Sequence, residues 1–228
     1  MQFNYKTFGY FEFIALKYIK VKLKLLLMLS LLHINMANSA ETWVLHKNES
    51  GIKVYKKVQP TGLVELKAQM QLKAKVSDFT TLLENTNNAP QWLDGVIYVK
   101  VLKRLSESEN FVYSVFEAPW PVKNRDMLIY SQYNFKGDGS LVINMKTADR
   151  TLINDFKKNQ DNIAITGVVA SWQLTPITDN MLEITYIAYA DPGGNLPNWL
   201  INKVALSSTY NTFKNLLQQL QFKTESIP

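Results

Sequence analysis

The sequence predicts an α+β protein: a curved antiparallel β-sheet wrapped around one long C-terminal helix, with an apolar cavity between them. Three observations predict it. Along most of the chain the apolar residues recur at every second position, as half-buried strands require. Short polar stretches such as "SESEN", "KGDGS" and "TDN" separate these runs, and a parallel crossover would need a dozen or more residues. The last segment, Asn198 to about Phe222, changes to a helical period.

Taken in order, "GIKVYKKVQ" (51–59) reads as a strand with Ile52, Val54 and Val58 on one face. "VELKAQMQLKAKV" (64–76) follows, with Val64, Leu66, Ala68, Met70 and Leu72 in register. "SDFTTLLENTNNAPQW" (77–92) shifts to helical spacing. Ser77 is the expected N-cap, Phe79, Leu82 and Leu83 form the stripe, and Asn87, Asn88 and Pro90 end it. Strands resume at "VIYVKVLKRL", "FVYSVFEA", "DMLIYSQYNF", "LVINMKTA", "IAITGVVASWQLTPI" and "MLEITYIAYA", with "KKNQDN" as a further turn. In the closing helix Trp199, Leu206, Phe213, Leu216, Leu217 and Leu220 share a broad face. Asn195 is placed to cap it, and Pro197 is tolerated in its first turn. A sheet of about eight strands must curl, and its apolar face needs a cover. The long helix supplies the cover, and the void left between helix and curved sheet is where a ligand would bind.

The N-terminus is set aside from the fold. Lys17, Lys20, Lys22 and Lys24 precede the apolar run Leu25–Leu32, and "HINMANSA" follows. Basic, short apolar, then small residues is the order of a secretory signal peptide, with cleavage expected after Ser39 or Ala40. The run is far shorter than the ~20 residues of a membrane span. Residues 1–39 are therefore read as a signal peptide and 40–228 as one domain. The leader is long, and Val21 fits the true initiator better than Met1. Five of the 25 basic residues and one of the 19 acidic ones precede residue 40. The exported chain is then close to charge balance and gives no case for nucleic acid, which needs a strongly basic patch. The cluster Lys53, Lys56 and Lys57 fits a solvated strand edge. There is no cysteine, which excludes disulfides, thiol nucleophiles, thiolate metal sites and a lipid-anchoring cysteine. The expectation is a soluble periplasmic monomer.

Two segments then resemble one family. "WPVKNRDMLIY" (120–130) is similar to the turn and Arg-Asp pair that open a central strand in the START domains, lipid-transfer domains with a helix-grip fold. "DPGGNLPNWLINKVALSSTYNTFKNLLQQL" (191–220) resembles that family's last strand end, Gly-Leu-Pro-type link and closing helix. The order of elements agrees over about residues 42–222. The resemblance implies a cup or tunnel for one lipid-like molecule, gated by the long helix and the loop Ala118–Asn124. The buried acid–base pair of some sterol-binding members cannot be placed here residue by residue, so a sterol preference does not carry over.

Several residues are candidates for the ligand site or gate. Trp120, between Pro119 and Pro121, is either core packed under the helix or a ring at the cavity mouth that meets ligand or a membrane interface. Arg125 and Asp126 point to opposite faces of a strand. Each makes a fixed structural pair, or Arg125 meets an acidic or phosphate head group. Gly193 and Gly194 permit a sharp strand-to-helix link and are the expected hinge of a helical lid. Trp92, Tyr113, Tyr130, Trp172, Tyr186, Tyr189, Trp199, Leu206 and Phe213 supply large apolar surface that serves as core or as cavity lining.

No catalytic constellation is visible. Beyond the leader only His46 remains, ahead of the first clear strand, so neither a histidine-based triad nor a histidine zinc site is supported. Glu117 and Asp126 flank one turn but do not make an acid–base dyad. The sequence therefore points to a non-catalytic carrier of a lipid or other hydrophobic molecule, without metal or cofactor and with transient membrane-surface contact. A cyclase-type enzyme on a related fold is the alternative, and a ligand-sensing partner protein is a third reading.

Overall fold

The computed structural model describes residues 42–118, 120–153 and 161–225. The leader and most of the "KKNQDN" turn lie outside these residues. Among the described residues ten strands form one sheet: β1 (Val44–Glu49), β2 (Ile52–Val58), β3 (Val64–Lys73), β4 (Val96–Ser106), β5 (Glu109–Phe116), β6 (Arg125–Phe135), β7 (Leu141–Thr147), β8 (Ile163–Ala164), β9 (Thr166–Thr178) and β10 (Met181–Asp191). Their order across the sheet is β1-β2-β3-β10-β9-β7-β6-β5-β4, antiparallel throughout, with the two-residue β8 added in parallel beside β6. Hairpins make this order wherever the links are short. Two neighbouring pairs are not hairpins: β3 and β10, far apart in the chain, and β7 and β9, joined through residues 148–165.

The alternation in β3 places Val64, Leu66, Ala68, Met70 and Leu72 inward, as read from the sequence. Val58 is a correction: it is exposed, because β2 runs out past the covered part of the sheet as it enters the 59–63 turn. β1 is a strand that the apolar pattern does not reveal, since nearly all its residues are exposed. His46 sits in the bulge between Leu45 and Lys47 of this edge strand.

Two short helices and one long one cover the concave face: α1 (Val76–Glu84), α2 (Ala89–Trp92) and α3 (Asn198–Glu225). α1 begins two residues earlier than Ser77 suggests. Lys75 is its N-cap, and the Asp78 carboxylate accepts the Lys75 backbone N–H at 2.8 Å. Ser77 lies inside the first turn, where its carbonyl accepts the Thr81 hydroxyl. Pro90 opens α2 instead of merely ending α1, in keeping with the tolerance for proline in a first turn. α3 starts from the Pro197 carbonyl, which accepts the Leu200 N–H at 3.0 Å, so Asn195 falls two residues short of the cap position.

The first turns of α3 are fastened to the β2–β3 turn. The Asn202 amide accepts the Val64 N–H and donates to the Gly62 carbonyl, each at 3.0 Å, and Asn198 donates to the Thr61 carbonyl at 2.9 Å. Gly62 is required here: its φ is +81°, and a Cβ would lie 2.5 Å from the Asn198 amide nitrogen. Further along, Leu206, Phe213, Leu216 and Leu220 sink into the main core with Ile52, Val54 and the inward residues of β3.

Candidate functional site: a cavity under the long helix

The concave face does not close completely. A cavity of about 220 Å³ lies among β4–β7, β9 and β10, with α1, α2 and α3 as its roof. Strand alternation decides which side chains reach it. On β5 these are Asn110, Val112, Ser114 and Phe116, and on β6 they are Met127, Ile129, Ser131 and Tyr133. The cross-strand pairs Val112–Ile129 and Ser114–Met127 form its floor. Trp172 and Tyr186, paired across β9 and β10, form one wall with their ring centroids 4.3 Å apart. Phe213 of α3 stacks on Trp172 at 5.8 Å, and Trp92 of α2 lies 6.3 Å from it. Burial pushes the Tyr186 hydroxyl up to about 12, so it is neutral at every physiological pH.

The polar groups gather at one end. Arg104 and Asn110 face each other across β4 and β5, and Asn110 faces Ser131 across β5 and β6. Tyr133 lines this end too; burial pushes its hydroxyl pKa up, and the neighbouring Asn110 amide acts against that shift. Glu84, from the end of α1, stands 4.0 Å from Arg104 with both side chains about half exposed. Sequence reading overlooked these residues. Single polar side chains on otherwise apolar strands carry no spacing signal, and only the register brings them together. Asp94 is fastened to α3: its N–H donates to the Thr212 hydroxyl at 3.0 Å and its carbonyl accepts from Ser208 at 3.2 Å.

Among the expected site residues, Trp172, Tyr186 and Phe213 line this cavity. Tyr113 and Tyr130 do not, which corrects the expectation. Their positions alternate with the lining residues, so they project from the opposite face of the sheet. There Tyr113 packs with Val115 and Leu128 and donates to Asp126 at 2.9 Å, while Tyr130 donates to Glu109. Leu206 is a core residue beside the cavity rather than in its lining. Trp199 is 67% exposed, so it is not in the buried stripe of α3.

Arg125 and Asp126 do point to opposite faces. Asp126, fully buried, accepts from Arg150 at 2.6 Å and from Tyr113, so its role is to tie the connection after β7 to the outer face. Arg125 is only 6% exposed and donates to the Lys123 carbonyl at the base of the 118–124 loop. That base is also closed by the Ala118 N–H on the Asn124 side chain (3.0 Å) and by the Ile163 N–H on the Asn124 carbonyl (2.9 Å). From this tied base Trp120 stands out, 92% exposed, so it is not core under the helix. Gly193 and Gly194 both have positive φ and pack on β8. A Cβ on Gly193 would lie 2.9 Å from the Ala164 carbonyl oxygen.

Among the described residues no group of histidine and carboxylate side chains is placed to hold a metal, and no helix is long and apolar enough to cross a membrane.

A curved antiparallel sheet gripping a long C-terminal helix around a mainly apolar cavity defines a helix-grip ligand-holding domain. The model of the START domain matches residues 29–226, and the chain belongs to that family. The match begins inside the segment read as a leader. An uncharacterized protein of Pseudomonas aeruginosa is 32% identical over 178 residues, 78% of this chain and 86% of the relative. The mouse phosphatidylcholine transfer protein is 25% identical over 182 residues, 78% of this chain and 84% of that protein. Among solved structures, the STAR-related lipid transfer protein from Xanthomonas axonopodis superposes with a TM-score of 0.68 at 30% identity, over 78% of this chain and 98% of that one.

Proposed function

We propose that this protein binds a lipid or similar hydrophobic molecule in the cavity beneath α3 and carries it, without chemical change, through the periplasm. The observation that carries the reading is the cavity itself, floored by Val112, Ile129 and Met127 and walled by Trp172, Tyr186 and Phe213. Family membership and the lipid-transfer relatives support it. The basic, apolar and small-residue order of the leader supports the periplasmic location.

Burial of an acyl chain contributes about 0.8 kcal/mol per methylene, so affinity needs few polar contacts. At about 220 Å³ the cavity is smaller than the ~300–1,000 Å³ of pockets that bury a drug-sized ligand. A two-chain lipid therefore requires movement of the roof. The 118–124 loop and α3, linked through Gly193 and Gly194, are the moving parts in this reading. Trp120 and Trp199 are exposed aromatics of the kind that settle at a membrane interface.

Because Trp120 is almost wholly exposed, Trp120→Ala should change stability by no more than about 0.5 kcal/mol. It should slow lipid uptake from vesicles severalfold. Unchanged uptake together with a large fall in melting temperature would return Trp120 to a purely structural role. Incubation with the bound species separates a carrier from a cyclase-type enzyme, since covalent alteration of the ligand would overturn the non-catalytic reading.

A further inference from the structure

Two side chains of the cavity lining, both almost completely buried, leave polar atoms without a partner among the described residues. They are the Asn110 Oδ1, on a residue 4% exposed, and the Trp92 Nε1–H, on a residue 1% exposed. A buried polar atom without a hydrogen bond is destabilising, because it has given up water without gaining a partner. The two residues lie on separate elements, β5 and α2, and both line the cavity. Turning the Asn110 amide over does not remove the deficit. It puts an N–H donor where the unpaired oxygen stood. A group that both donates and accepts, such as a hydroxyl, serves either orientation of the amide.

The charges of the lining point the same way. Glu84 and Asp94 supply two carboxylates against the single guanidinium of Arg104, so the cavity holds no excess positive charge for a phosphate. We propose that the cavity selects a lipid whose head group is uncharged and bears a hydroxyl or amide, held by Asn110 and Trp92, over a phosphodiester lipid. A phosphatidylcholine head group offers acceptors but no donor, and would leave an outward Asn110 oxygen unpaired. This inference rests on the proposed use of the cavity for lipid.

The test equilibrates the full chain with phosphatidylcholine vesicles containing diacylglycerol, and separately with vesicles containing ceramide. Bound lipid is then extracted and quantified. The expected result is enrichment of the hydroxyl lipid over phosphatidylcholine by about tenfold relative to the vesicle, the value of one good hydrogen bond. Asn110→Leu should abolish most of that enrichment, while the melting temperature of the lipid-free protein holds or rises because an unpaired buried atom has been removed. Trp92→Phe, which keeps a ring and removes the N–H, should lower the enrichment as well. Phosphatidylcholine bound in proportion to the vesicle or better, or unchanged enrichment in Asn110→Leu, overturns the selectivity and leaves the lipid site standing. A chain that takes up no lipid from any vesicle overturns both.

Discussion

Trp172→Ala is expected to destabilise the fold by about 3–5 kcal/mol, the range for deleting a fully packed aromatic. Trp172 is where all three helices meet the sheet. Its ring lies 5.1 Å from Phe79 of α1, 6.3 Å from Trp92 of α2, 5.8 Å from Phe213 of α3 and 4.3 Å from Tyr186 of β10. Aromatic pairs in offset or edge geometry contribute about 0.5–1.5 kcal/mol each beyond the area they bury. Alanine would remove four such contacts and enlarge a cavity that is already present, so the surroundings have little with which to refill the space. Urea denaturation followed by circular dichroism is the check. The midpoint should fall sharply with an unchanged slope. A loss below 1 kcal/mol would show that the helices are held chiefly by the Leu206–Leu220 stripe and the Asn198–Asn202 clasp, not by this aromatic hub.

The second large effect concerns binding rather than stability. Val112→Trp is expected to reduce lipid binding at least tenfold. Val112 is half-buried on the cavity floor between Val101 of β4 and Ile129 of β6. An indole in its place projects into the void, where most of its bulk needs no displacement of the sheet. Overpacking of a closed core costs about 1–3 kcal/mol, and a substitution into empty space should fall at the low end. The variant should fold with a melting temperature near the wild type and fail to extract lipid from vesicles. Unimpaired uptake by a folded Val112→Trp protein would mean that the ligand does not occupy this cavity.

The architecture was legible in the sequence because one face of most strands is buried. β3 shows it plainly, with every second residue from Val64 to Leu72 inward. β1 was hidden because an edge strand with two exposed faces leaves no alternation to read. The site was less legible, and Tyr113 shows why. β5 has apolar residues on both faces: Val112 and Phe116 turn inward, while Phe111, Tyr113 and Val115 turn outward, where Ala148 packs beside them and Arg150 bonds Asp126. Alternation separates the two sets but does not say which one faces a cavity, and the larger aromatics belong to the wrong one. Trp199 misleads in another way. It is spaced in sevens with Leu206 and Phe213, but such a spacing drifts by about 20° per heptad around a straight helix. At the start of α3 it is Asn198 and Asn202 that meet the β2–β3 turn, and Trp199 is left to solvent. Asn110 was overlooked because a lone buried amide reveals its importance only through what it fails to bond.

The central claim is that a hydrophobic guest fills the space between α3 and the sheet. Native mass spectrometry of the protein purified from its own host tests it most directly. The account predicts a single bound species, one lipid per chain, released on unfolding and reduced or lost in Val112→Trp. A protein that is empty as isolated, and whose melting temperature no lipid raises, would contradict it.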